Sequence, residues 1–158
     1  MSIGIFYGSS TGVTEDVANK VGELLGAEVM GASEINKVED YDFVIFASST
    51  WGMGDLQDDW MDALDVLKTK NLSGKKVGFI GVGDQGAFSD TFVDAIGIIY
   101  EEIKDMGIKL VGQTSTDDYD FSDSKAILDD DFIGLVIDEN NQSDLTDERI
   151  KEWVESIK

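Results

Sequence analysis

Apolar and polar positions fall in blocks along the chain, and each block has its own period. Ile3-Gly4-Ile5-Phe6-Tyr7 is a short apolar run, and Val13, Val17, Val21, Leu24 and Leu25 follow at helical spacing. Gly26 stands where such a helix stops. Residues 27–30 predict a short second strand, and 33–38 a polar connection. Tyr41-Asp42-Phe43-Val44-Ile45-Phe46-Ala47 predicts a strand whose apolar residues run on without alternating, as expected where both faces are covered. Residues 48–54 read as a loop. Leu56, Trp60, Leu64 and Leu67 then fall at i, i+4, i+8 and i+11, one face of a helix. After a turn at 71–74, residues 75–82 predict the next strand and 83–86 its exit. Ser89, Asp90 or Thr91 is placed to cap a helix with Phe92, Ile96, Ile99, Ile103 and Met106 on its buried face. Residues 108–114 read as a strand, 115–131 as a polar, acidic stretch, 132–137 as a strand and 138–144 as a polar turn. Ile150, Trp153, Val154 and Ile157 mark a last helix, and Trp60 and Trp153 are expected in the core.

Strands and helices alternate throughout, with no repeat and no linker. The pattern predicts an α/β fold: an open five-stranded parallel sheet with helices on both faces, over one domain spanning residues 1–158. The expected strand order is 2-1-3-4-5. Ligands in such folds sit outside the carboxyl ends of the strands. The loops there are 8–14, 48–54 and 83–88, and they are also the loops with unusual chemistry.

Composition narrows the choices. Twelve Lys and Arg against 33 Asp and Glu give a net charge of −21, which argues against nucleic acid and anionic membranes as partners. Basic protein partners fit that charge, and so does plain solubility or adaptation to high salt. Without Cys there is no disulfide and no thiolate-held metal or iron–sulfur cluster; without His the usual catalytic triads are absent. No apolar run approaches the ~20 residues that span a bilayer. The N-terminal run lacks a positive flank, so no signal peptide is expected and the cytoplasm is the expected location.

The first loop, Gly8-Ser9-Ser10-Thr11-Gly12-Val13-Thr14, joins a strand to a helix. A helix N-terminus offers backbone N–H groups and the positive end of the dipole, a ready place for phosphate. Ser9, Ser10, Thr11 and Thr14 add hydroxyl donors. The spacing matches neither the nucleoside-triphosphate loop, whose Lys is missing, nor the dinucleotide glycine pattern. A neutral donor set suits a terminal monophosphate; a plain hydroxyl-rich cap is the alternative. Trp51 in the second loop and Phe88 in the third can flank a planar ring, or pack on their own helix tops. One planar heterocycle carrying one phosphate satisfies all three loops, and FMN fits better than ATP or NAD.

These loops resemble those of the flavodoxin family. Residues 8–14 are similar to its phosphate loop. Ser49-Thr50-Trp51-Gly52-Met53-Gly54-Asp55-Leu56-Gln57 is similar to its loop at the inner flavin edge, and Gly81-Val82-Gly83-Asp84-Gln85 to its third loop. Tyr119-Asp120-Phe121-Ser122-Asp123-Ser124-Lys125-Ala126 and Asn141-Gln142-Ser143-Asp144-Leu145-Thr146 resemble the insertion of its long-chain members, so the likeness spans the chain. The resemblance implies a low-potential one-electron carrier with non-covalent FMN, cycling between semiquinone and hydroquinone in place of ferredoxin. It implies a flavin site made of Ser9, Ser10, Thr11, Gly12, Val13 and Thr14, of Ser49, Thr50, Trp51, Gly52, Met53 and Gly54, and of Gly83, Asp84, Gln85, Phe88 and Asp90. Trp51 and Phe88 would flank the ring, and the backbone of Gly54, Asp84 and Gln85 would meet its polar edge. Phe88 stands where the family usually has Tyr, and Gly86-Ala87 before it is expected to loosen that wall.

Two controls on potential follow from the residues. Asp55, Asp58, Asp59, Asp84 and Asp90 would disfavour an anionic reduced flavin. Gly52 suits the first central position of a type II′ turn, so the Gly52–Met53 peptide is expected to flip on reduction. The implied partners are basic redox proteins, such as a flavodoxin/ferredoxin reductase and an acceptor oxidoreductase, with the chain a monomer. The alternative function is an FMN-dependent quinone or nitro reductase on the same fold. A phospho-receiver domain needs acidic strand ends, where this chain has Tyr7-Gly8 and Ala47-Ser48-Ser49.

Overall fold

The computed structural model describes residues 2–8, 12–51, 55–56 and 58–157, with the backbone alone described at 51, 55 and 56. Strand β1 (Ile3–Gly8) leads into helix α1 (Val13–Leu25), then β2 (Glu28–Gly31), a 3₁₀ segment (Ala32–Asp40) and β3 (Phe43–Trp51). A two-residue β4 (Asp55–Leu56) precedes α2 (Asp58–Leu67), β5 (Lys76–Val82) and α3 (Asp94–Ile103). Next come β6 (Lys109–Leu110), β7 (Ile127–Leu128), β8 (Asp131–Phe132) and β9 (Leu135–Ile137). Helices α4 (Glu139–Gln142) and α5 (Thr146–Ile157) end the chain.

The main sheet is parallel in the order β2-β1-β3-β5-β6, with β9 also on β5 and β4 antiparallel to β3. This is the expected 2-1-3-4-5 arrangement, with β6 and β9 sharing the fifth position. Continuous apolar strands fill both faces. Phe6, Val44, Phe46, Val77 and Phe79 pack with Ile35, Trp60, Leu64 and the Ile96–Ile99–Ile103 stripe of α3. Ile5, Phe43, Ile45, Ala47, Ile80 and Val82 point the other way, onto Val17 and Val21 of α1 and Ile150, Trp153 and Val154 of α5. Neighbours in sequence therefore belong to different cores, which is why these strands show no alternation.

Four expectations need correcting. Residues 48–51 continue β3 as extended, buried strand up to Thr50, not loop. The Ser48 and Thr50 hydroxyls find partners inside the fold, so polarity did not mark the strand's end. Leu56 lies in β4, and the helix starts at Asp58; Trp60 stays in the core and donates its indole N–H to Ala47 O at 2.8 Å. None of Ser89, Asp90 and Thr91 caps α3: they form a short 3₁₀ turn, and the helix opens after Val93, at φ 49°. The fifth strand is split, as the separate strand readings at 108–114 and 132–137 imply, but its first half is much shorter than read. β6 ends because Gly112 turns the chain at φ +83°, pinned by the Trp153 indole N–H on its carbonyl at 2.7 Å. The excursion forms the β7–β8 hairpin before β9 rejoins β5.

The excursion packs through aromatic rings. Phe92, Tyr119, Phe121 and Phe132 form one cluster. Buried Asp94, on α3, accepts the Lys125 N–H at 2.7 Å; burial pushes its carboxyl up, against that hydrogen bond.

Candidate functional site

Register brings the loops together. Gly8 pairs with Ser48, Ser48 with Gly81, Ser49 with Val82, and Val82 with Ile137. The carboxyl ends of β1, β3, β5 and β9 thus lie side by side, and the connections leaving them share one rim. That is the place where an open α/β sheet binds its ligand.

On the first loop, Ser9, Ser10 and Thr11 lie outside the described residues. Gly12 opens α1 with φ 90°, ψ −10°, a left-handed geometry that glycine adopts without strain, and it brings no capping side chain. Val13 starts the helix. Thr14 is 1 % exposed, and its Oγ1 has no hydrogen-bond partner among the described residues. A buried hydroxyl without a partner is costly and rare. It is accounted for if something absent from the polypeptide, such as a phosphate oxygen, meets it. Ser49 Oγ, at the end of β3, is a second such atom. Tyr7 beside them donates to Glu15 at 3.0 Å, and burial together with that carboxylate raises its pKa.

On the second loop, the Trp51 backbone pairs with Asp55; Gly52, Met53 and Gly54, and with them the expected peptide flip, lie outside the described residues. Thr50 has a role the sequence did not reveal. Its buried Oγ1 accepts the Ala95 N–H at 2.8 Å and so caps α3 from another element.

The third loop is built around Asp84. Its Oδ1 accepts N–H from Gly86 (3.0 Å) and Ala87 (2.9 Å), and its carbonyl accepts the Phe88 N–H at 2.8 Å. Asn140 and Asn141 donate to it from α4 at 3.1 and 2.7 Å. Partial burial works against ionisation of Asp84, but these donors outweigh it and hold its pKa below the ordinary value. The Gly86-Ala87 pair is therefore pinned by Asp84, contrary to the expected loosening. Gly83 donates to Ile137 O at 3.1 Å. The Gln85 N–H is committed to Asp138 at 2.9 Å. The Gln85 side chain is buried and accepts the Asp120 N–H of the excursion. Phe88 is half-buried and Asp90 exposed.

Sequence reasoning missed Asp138, Asn140 and Asn141, which join this loop to the end of β9. The available signal was an Asp just before a short polar helix, a capping pattern. No cluster suited to a metal ion occurs among the described residues, and no helix among them is long and apolar enough to cross a membrane.

Comparison with known proteins agrees with this geometry. The flavodoxin family model matches residues 5–153. The chain is 45% identical to a flavodoxin of Nostoc sp. over 99% of this chain and 95% of that protein. It is 46% identical to a flavodoxin of Helicobacter pylori, over 99% and 96%. Among solved structures, a Fusobacterium nucleatum flavodoxin bound to flavin mononucleotide superposes with a TM-score of 0.94 at 32% identity, over 99% of this chain and 96% of that one.

Proposed function

The chain belongs to the flavodoxin family, and we propose that its FMN is held on the rim formed by loops 8–14, 49–54 and 83–90. It is an electron-transfer protein rather than an enzyme with a substrate of its own. Its relatives are named flavodoxins, and nothing in them favours the quinone or nitro reductase alternative. Bound FMN supplies the one-electron chemistry, and the polypeptide binds, orients and electrostatically tunes it.

In this reading Ser9, Ser10, Thr11, Gly12, Val13 and Thr14 hold the phosphate, at the start of α1. Ser49 and Thr50 end the strand beneath the ring, Trp51 and Phe88 flank it, and Gly52, Met53 and Gly54 line its inner edge. Gly83, Asp84 and Gln85 meet the polar edge, with Asp90 on the outer rim. The carrying observation is that two buried hydroxyls, Thr14 Oγ1 in the first turn of α1 and Ser49 Oγ near the end of β3, have no hydrogen-bond partner among the described residues. We further assign residues 1–158 to one domain of the long-chain type, on the strength of the excursion that splits the fifth strand. The chain works with redox partner proteins; we propose basic ones, met as a monomer in the cytoplasm, in encounters that weaken as salt rises.

Titration of the apoprotein with FMN and with riboflavin tests the site. FMN should bind at least tenfold tighter and lose its fluorescence on stacking. Equal affinity for the two would remove the phosphate site.

A further inference from the structure

Asp138 follows β9 and is fully buried. One oxygen accepts the Asn140 and Asn141 N–H groups at 3.1 and 3.0 Å and caps α4. The other reaches beyond the helix backbone. It accepts the Gln85 N–H at 2.9 Å and the Asn141 Nδ2 at 2.9 Å. That same Nδ2 reaches Asp84 Oδ1 at 2.7 Å, and Asp84 in turn closes the turn at Gly86 and Ala87. A buried carboxylate is costly and persists where donors surround it. Here all four donors are present, and only one oxygen is needed for the cap.

We propose that Asp138 is a positioning residue for the flavin: through Gln85 and Asn141 it fixes the 83–88 loop in the shape that meets the ring. The inference rests on the reading that this loop contacts FMN. It makes the short α4 part of the cofactor site, although α4 supplies no ligand. The link also brings two carboxylates, Asp84 and Asp138, onto one amide beneath the loop, and both oppose added negative charge on the ring.

Asp138→Asn separates brace from cap. Asparagine caps a helix as well as aspartate, but one of its two acceptors becomes an NH₂ group facing donors. Asn141→Ala cuts the Asp84–Asp138 link without changing charge. Gln142→Ala, on the same short helix, removes a side chain that touches neither carboxylate and serves as control. Hydrogen exchange of the apoprotein amides at residues 85–88 should quicken at least tenfold in Asp138→Asn. The FMN dissociation constant should rise by roughly tenfold or more, the scale of one lost charged hydrogen bond. Asn141→Ala should move both in the same direction and shift the lower flavin potential with charge unaltered; if Asp138→Asn does not fold, this variant decides. Unchanged exchange in the variants overturns the brace. Faster exchange with unchanged FMN affinity and potential overturns the contact between loop and flavin, and the inference with it. An equal effect from Gln142→Ala would reduce the brace to general loosening of α4 and overturn it too.

Discussion

Thr14→Val should change apoprotein stability and FMN affinity in opposite directions. Valine keeps the shape of threonine and removes the hydroxyl. Thr14 is 1 % exposed, and its Oγ1 has no partner among the described residues. In the apoprotein that buried oxygen carries a desolvation cost of about 1–3 kcal/mol with nothing to offset it. Removing it should leave the apoprotein as stable or make it more so, by up to ~2 kcal/mol, the smaller figure allowing for relaxation around the hydroxyl. In the proposed site the same hydroxyl would donate to the charged phosphate of bound FMN, an interaction of about 1.5–3 kcal/mol. The dissociation constant should therefore rise by roughly 10- to 150-fold. Urea unfolding of the apoprotein gives the first quantity and fluorescence titration the second. Unfolding must be followed without FMN, because bound ligand adds its own mass-action term. Lower apoprotein stability by more than about 1 kcal/mol, or unchanged FMN affinity, would refute the reasoning.

Two further outcomes check other parts of the structure. Thr50→Val should destabilise the apoprotein by about 1–3 kcal/mol by leaving the Ala95 N–H unpaired, while Thr50→Ser keeps most of the stability; equal losses in thermal melts would show that the hydroxyl does not cap α3. Tyr119 has its pKa pushed up to about 12, by burial first, with Arg149 opposing and Asp118 and Asp138 adding to the rise. A raised pKa gives stability that is complete below the unfolded value of about 10 and is lost as pH rises through the folded value, so Tyr119→Phe should lose less stability than the parent over that interval. Parallel alkaline curves for the two proteins would contradict this.

What could be read in the sequence follows from what each residue does. The central strands announced themselves because Phe43 to Phe46 are apolar on both faces, and the buried stripe of α3 because Ile96, Ile99 and Ile103 recur at helical spacing. The three rim loops came from the alternation of elements, whereas the strand order was expected without any periodicity to give it. The end of β3 was hidden: Ser48, Ser49 and Thr50 look like loop residues, yet they are buried strand. The start of α3 was hidden because its cap, Thr50, lies 45 positions upstream. The split of the fifth strand was legible in the two strand readings on either side of residues 115–131, but the early end of β6 goes with Gly112 and the Trp153 indole 41 residues away, which no local period encodes. Asp138 carried a capping signal but none for its second role, since a polar turn and a brace between two strand ends have the same composition.

Slow anaerobic dithionite titration of the FMN-loaded protein, followed by its visible spectrum, tests the central claim most directly. A one-electron carrier should show a broad long-wavelength band that grows and then fades as the flavin bleaches. Bleaching in a single two-electron step, or failure to take up FMN, would contradict the account.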